Sequence, residues 1–216
     1  MNSTGAEAAP EAAPLGRRER NKLRVRERLY TAALTLFTEQ GYDETSIDEI
    51  AERADVARGT FFNYFQRKED LLGTWGEKRR DKLRGSLAAD ALGAGATRTR
   101  LQRCMRALGK MNEEDQKETG AMLMAWVRAG RPLLEEPYLA ELFSELVADG
   151  VRRGEFREGI RPDQVGNALR DLYLGTLYRW CMNPGRKGAL TKELLAVLDL
   201  LLYGVFAEPE PGTTRA

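Results

Sequence analysis

Between Arg17 and Phe206 apolar residues recur three and four positions apart, the period of an amphipathic helix. No run alternates Val, Ile, Thr and aromatic residues with polar ones at the two-residue period of a strand. A chain with that pattern is confined to an all-α fold. The first helix is predicted over roughly Arg20 to Gln40, where Leu29, Ala32, Ala33, Leu36 and Phe37 form one stripe and Gly41 supplies the stop. Ser46 and Glu49 have capping-box spacing ahead of Ile47, Ile50 and Ala51, so a second helix of about two turns starts there. A short aromatic helix is expected over Arg58 to Phe65, and a long one from about Lys68 to about Asp90. The remaining pattern predicts helices near 97–111, 115–129, 137–153, 162–182 and 191–206, about nine in all. Pro162 suits a first helical position, and Thr191 a helix cap with Leu190 and Leu195 as a staple. Ala91 to Thr97 (ALGAGAT) reads as a hinge between two domains.

Composition removes whole classes of chemistry. The 216 residues include no histidine, which excludes His-based triads, His general bases and His-containing metal sites. The two cysteines, Cys104 and Cys181, are too few and too far apart for a disulfide framework or a CxxC pair. No GxSxG, P-loop or nucleotide-binding GxGxxG occurs, so an enzyme is not expected, and neither a cofactor nor a metal. Residues 1–16 are Ala/Pro-rich without an apolar run, and 207–216 are Pro- and Glu-bearing; both read as disordered tails. The longest apolar stretch, Leu194 to Phe206, is broken by Asp199 and too short to span a bilayer. A cytoplasmic chain without membrane contact is the expectation.

Residues 45–65 (TSIDEIAERADVARGTFFNYF) have the makings of a helix-turn-helix. Ala51 is small enough for two helices to cross, and Ile47, Ile50, Val56, Phe61 and Phe65 are spaced as plugs between them. If Phe61 and Phe65 are buried, the opposite side of the second helix carries Gly59 and Asn63, flanked by Thr60 and Phe62. Gly59 permits close backbone approach, and Asn63 and Thr60 can hydrogen-bond base edges or phosphates. Arg58 has reach for either, while Tyr64 and Lys68 suit phosphate oxygens. The net charge of +1 conceals a segregated layout. Residues 17–28 hold seven basic and two acidic side chains, whereas 39–55 hold seven acids and one arginine. The basic stretch, with Arg18 and Arg24, suits DNA phosphates, and the acidic one is expected on the face turned away from DNA.

The segment LYTAALTLFTEQGYDETSIDEIAERADVARGTFFNYFQRKEDLL (29–72) resembles the DNA-binding domain of the TetR family of bacterial transcriptional regulators. The resemblance runs through Ala32-Ala33, Leu36-Phe37, Gly41-Tyr42, Thr45-Ser46, Ile50-Ala51, Gly59-Thr60, Tyr64-Phe65 and Lys68-Glu69. It implies that Thr45, Arg58, Gly59, Thr60, Phe62, Asn63, Tyr64 and Lys68 stand at DNA-contacting positions. Asp55 stands where the family most often has Gly, Ala57 where it has Ser or Thr, and Phe62 where many members have Tyr. The architecture implied is a three-helix DNA-binding domain over 17–68, then a helical ligand-binding and dimerisation domain over 69–206. The function implied is a homodimeric repressor, released from a palindromic operator in double-stranded DNA by a small organic ligand. Control by a protein partner or by cysteine oxidation is the alternative. Met105, Met122, Trp126, Phe143, Tyr173 and Tyr178 are candidates to line the ligand pocket, since Met and aromatic side chains suit an adaptable apolar cavity. The helix expected over 162–182 is apolar on two sides, either through deep burial or through packing against both core and partner. With dimerisation implied through the last two helices, Leu169, Leu172, Thr176, Leu194, Leu198 and Leu201 are the interface candidates.

Overall fold

The computed structural model describes residues 16–88, 95–130, 138–183 and 188–204. Among the described residues the chain is entirely helical, with α1 (Arg17–Glu39), α2 (Ile47–Arg53), α3 (Arg58–Phe62), α4 (Asp70–Ala88), α5 (Thr97–Glu114), α6 (Gln116–Arg128), α7 (Tyr138–Arg152), α8 (Pro162–Met182) and α9 (Ala189–Tyr203). Residues 91–94 of the expected hinge, and both expected tails apart from Gly16, lie outside the described residues.

Local chemistry explains most of the boundaries. Gly41 follows α1 with φ +93°, a conformation that costs a Cβ-bearing residue strain, and its N–H closes the helix on the Phe37 carbonyl. Pro162 stands in the first turn of α8. Two of the boundaries that differ from expectation have a visible cause. α3 ends at Phe62 rather than Phe65, because the Asp70 carboxylate gathers the Gln66 and Arg67 N–H groups (2.8 and 3.0 Å) and turns the chain into α4. Thr191 is not a cap: α9 starts at Ala189 behind Gly188, and the Thr191 N–H and hydroxyl both bind the Glu113 carboxylate (3.0 and 3.1 Å), tying α9 to α5.

Two apolar cores result. One gathers Leu29, Leu36 and Phe37 of α1, Ile50 of α2, Phe61 of α3 and Phe65, and continues into Leu71, Leu72 and Trp75 of α4 and Met122, Ala125 and Trp126 of α6. The other is built from α5, α7, α8 and α9 around Leu101, Met105, Leu108, Phe143, Leu146, Leu169, Leu177, Leu194 and Leu198, with Leu83 from the far end of α4. α4 therefore contributes side chains to both cores. α7 and α8 pack so closely that a Cβ on Gly166 would stand 2.5 Å from the Ala140 carbonyl oxygen.

Candidate nucleic-acid interface and ligand cavity

α2 begins with both halves of a capping box. The Ser46 hydroxyl accepts from the Glu49 N–H (3.2 Å), and the Glu49 carboxylate accepts from the Ser46 N–H (2.8 Å). Those hydrogen bonds hold the Glu49 carboxyl below its usual range. The loop before it is fastened from the other side. Lys68 donates to the Tyr42 and Thr45 carbonyls (2.6 and 2.8 Å), its ammonium lies 4.1 Å from the centre of the Tyr42 ring, and the Tyr42 hydroxyl donates to Glu69 (2.7 Å). Half-burial lowers the Lys68 pKa against the opposing pull of Glu69, Asp43, Glu44 and Glu49. Lys68 spends two of its N–H donors on a loop whose carbonyls have no helix to satisfy them. Thr45 is buried, its hydroxyl given to the Gly41 carbonyl (2.7 Å).

The turn between α2 and α3 depends on Asp55, which adopts φ +52°, the one positive value at a non-glycine among the described residues. Arg28 of α1 braces that strained turn, binding the Asp55 carbonyl (2.8 Å), the Asp55 carboxylate (3.0 Å) and the Ala54 carbonyl. Ala57 precedes α3 with no side-chain cap. Phe61 is wholly buried, so α3 turns Arg58, Gly59, Phe62 and Asn63 outward, with Thr60 and Tyr64 half-buried beside them. Residues 17–24 of α1 are exposed on every side, and Arg17, Arg18, Arg20, Asn21 and Arg24 line one open groove. The expected acid-bearing face is split. Glu39 pairs with Arg53 and Asp43 with Arg128 of α6, but Asp48 reaches across to α3 and binds Arg58. Asp48 therefore does not face away from the outward side of α3, because capping fixes α2 so that its first turn points at the start of α3.

Where the two cores meet, a cavity of about 130 Å³ is walled by Trp75, Arg79, Arg80 and Leu83 of α4, Leu108 and Met111 of α5, Leu123 and Trp126 of α6, Tyr138 and Leu139 of α7, and Arg170, Tyr173, Leu174 and Leu177 of α8. Its polar groups are chained together: Arg79 donates to the Asn112 amide oxygen (2.5 Å), and the Asn112 amide donates to the Tyr173 hydroxyl (3.1 Å) and the Leu108 carbonyl (2.6 Å). Burial raises the Tyr173 pKa, so its hydroxyl stays neutral. Arg170, nearly buried, is paired with Asp171 (2.7 Å). Of the residues expected here from sequence, Trp126 and Tyr173 line the cavity. Met105 and Phe143 are wholly buried in the second core, Met122 is buried in the first, and Tyr178 is exposed. The arginines were missed, although Arg170 sits on the apolar stripe formed by Gly166, Leu169, Tyr173 and Leu177, an anomaly legible in the sequence.

The comparisons with known proteins bear on both sites. A family model described as "Bacterial regulatory proteins, tetR family" matches residues 29–73. The chain is 30% identical to Thermus thermophilus FadR, a TetR-family transcriptional repressor solved in complex with lauroyl-CoA, with a TM-score of 0.67 over 88% of this chain and 100% of that one. This chain belongs to the TetR family. It is a DNA-binding, ligand-responsive transcriptional repressor. The regulator is also 28% identical to the transcriptional repressor KstR of Mycolicibacterium smegmatis over 183 residues, 82% of this chain and 86% of that one. FadR of Bacillus subtilis, solved with stearoyl-CoA, shares the fold at 22% identity (TM-score 0.68, covering 83% of this chain and 99% of that one).

The regulator's last two helices bury one broad face rather than two. Leu169, Thr176, Leu194 and Leu198, expected at the dimer interface, are buried in the regulator's own core; Leu172 is half-buried and Leu201 exposed. The large apolar side chains that α8 and α9 leave exposed are Tyr178, Met182, Leu200, Leu201 and Tyr203. Burial pushes the thiols of Cys104 and Cys181 up to about 11, which leaves almost no thiolate for oxidation chemistry near neutral pH. Among the described residues no helix is long and apolar enough to cross a membrane.

Proposed function

We propose that the regulator is released from its operator by a ligand with an apolar chain and an anionic head, the chemistry of an acyl-coenzyme A thioester. The observation that carries this reading is the cavity: apolar and aromatic walls with Arg79 and Arg170 at the same site. An aliphatic chain gains by leaving water, and guanidinium groups match the phosphate oxygens of coenzyme A. The lauroyl-CoA complex of the Thermus relative supports the same class.

At about 130 Å³ the cavity is smaller than the roughly 300–1,000 Å³ of a pocket holding a drug-sized ligand. A long chain enters only by enlarging it. One wall is α4, whose first turns carry Leu71, Leu72 and Trp75 into the core of the reading domain, so enlargement displaces that domain. The ligand shifts the equilibrium because the closed form, the one competent for DNA, cannot hold it equally well. In this reading Arg18, Arg24, Arg58, Gly59, Thr60, Phe62, Asn63 and Tyr64 face the operator. Tyr178, Met182, Leu200, Leu201 and Tyr203 form the dimer face that sets the spacing of two reading domains on a palindrome. The division is a DNA-binding domain over 17–68 and a regulatory domain over 69–206 hinged through α4. The protein acts in the cytoplasm without catalytic activity.

The test is fluorescence anisotropy of operator DNA selected from a genomic library, titrated with lauroyl-CoA, free coenzyme A and laurate. Release by lauroyl-CoA alone is expected, with Arg79→Ala raising the concentration needed by tenfold or more while DNA affinity is kept. Release by none of the three, or equal release from Arg79→Ala, overturns the ligand assignment.

A further inference from the structure

Arg58 opens the outward face of α3, yet it is not a freely solvated side chain. Its Nη1 donates to both oxygens of Asp48 (2.8 and 2.6 Å), a residue one helix away. Its guanidinium carbon lies 6.0 Å from the centre of the Phe62 ring, one turn further along α3, and that ring is fixed edge-to-face against buried Phe61 (5.5 Å, 81°). One nitrogen is thus tied to a carboxylate, and the guanidinium lies over an aromatic ring. Asp48 itself is placed by the capping box on its neighbour Glu49, so the anchor is as rigid as the start of α2.

We infer that Asp48 is a specificity-determining residue of the operator interface: it holds Arg58 so that the Nε and Nη2 edge of the guanidinium meets a guanine in the major groove. This rests on the DNA-facing role proposed above for α3. The chemistry follows from what Asp48 leaves open. A guanidinium has five N–H donors in one plane, and Asp48 engages Nη1 alone, leaving two parallel donors on the opposite edge. Guanine offers two acceptors, N7 and O6, at matching spacing; adenine offers one acceptor and a donor, which opposes an arginine. A loose arginine would also satisfy phosphates, which carry no sequence information. The carboxylate disfavours that alternative, since a phosphate drawn to Arg58 would have to approach Asp48 as well. Asp48 thus converts a residue that could bind any DNA into one that reads a base. It acts through Arg58 and is a positioning residue.

The experiment selects bound sequences from a random DNA library with the full-length wild type, Asp48→Ala and Arg58→Ala, and measures affinities for the wild-type site and for random DNA. The wild-type site is expected to hold a guanine at one position of each half-site. Both variants should lose preference there by tenfold or more, while the other positions stay unchanged. Affinity of Asp48→Ala for random DNA should hold or rise, because a negative charge is removed. Both side chains are more than half exposed, so the fold survives either change, and circular dichroism verifies this. An Asp48→Ala selection identical to the wild type overturns the inference, as does a wild-type site in which Arg58→Ala alters no guanine. If the wild type itself selects no sequence, the DNA-facing reading of α3 fails, a separate outcome.

Discussion

The reading domain and the regulatory domain use arginine and lysine in opposite ways. Around α1–α3 the basic groups sit outside the apolar core: Arg18 and Arg24 are exposed, Arg28 and Lys68 brace loops by binding carbonyls, and Arg58 is held by Asp48 at the surface. In the regulatory half Arg79 and Arg170 are turned inward onto a cavity, chained to Asn112 and Tyr173 or paired with Asp171. A charge at the surface costs little; a charge against an apolar cavity is costly unless satisfied, and Arg79 and Arg170 are satisfied by Asn112 and Asp171. The difference teaches that one half turns its basic groups to the surface while the other chains them to polar partners inside. α4 and α6 contribute to both cores, so neither half rearranges without the other feeling it.

The largest break in this comparison comes from Phe61, wholly buried beneath α3. Phe61→Ala is expected to cost about 3–5 kcal/mol in chemical denaturation and to abolish DNA binding while sparing ligand binding. Loss of both functions would mean that the two halves fold as one unit. Lys68→Ala separates bracing from presenting. It should destabilise the protein by about 1.5–3 kcal/mol through two lost charge-assisted hydrogen bonds, yet leave the salt dependence of DNA binding nearly unchanged. A salt slope lower by about one unit would instead place Lys68 on a phosphate.

The smallest effect is on pH dependence. Hydrogen bonds from Arg100 and Arg152 and the charge of Arg153 hold the Asp149 carboxyl below its usual range, and the Thr97 N–H does the same for Glu155. A carboxyl depressed in the folded state stabilises it above the unfolded pKa, and that contribution fades as pH falls below about 4. Urea midpoints measured from pH 7 to pH 3 should decline, and Asp149→Asn should flatten part of the decline. An unaltered slope in that variant would assign the acid sensitivity to the other depressed carboxyls, Glu49, Glu69, Glu155 and Asp163.

Legibility in the sequence followed the range of the forces involved. The capping box at Ser46 and Glu49, the stop at Gly41 and the buried stripe of α1 depend on neighbours a few residues away, and each stands where the spacing put it. The loop-bracing hydrogen bonds of Lys68 were not legible, because its carbonyl partners are 23 and 26 residues distant, beyond any local pattern. Met105, Phe143 and Met122 share the composition of pocket residues, yet whether such a side chain meets a void or a neighbour depends on how several helices pack. The apolar breadth of α8 left burial and pairing open. Leu169 and Thr176 prove buried within the chain, and the exposed remainder is a different set of residues.

By itself the sequence determined an all-helical chain with a helix-turn-helix near its start and no histidine chemistry, because periodicity, capping and composition are written in the order of residues. The tertiary structure decided which charges are offered and which are spent. Asp48 meets Arg58, Lys68 meets a loop, and Arg79 and Arg170 meet one cavity because helices far apart in sequence pack together, and only packing sets which polar group lies within 3 Å of another.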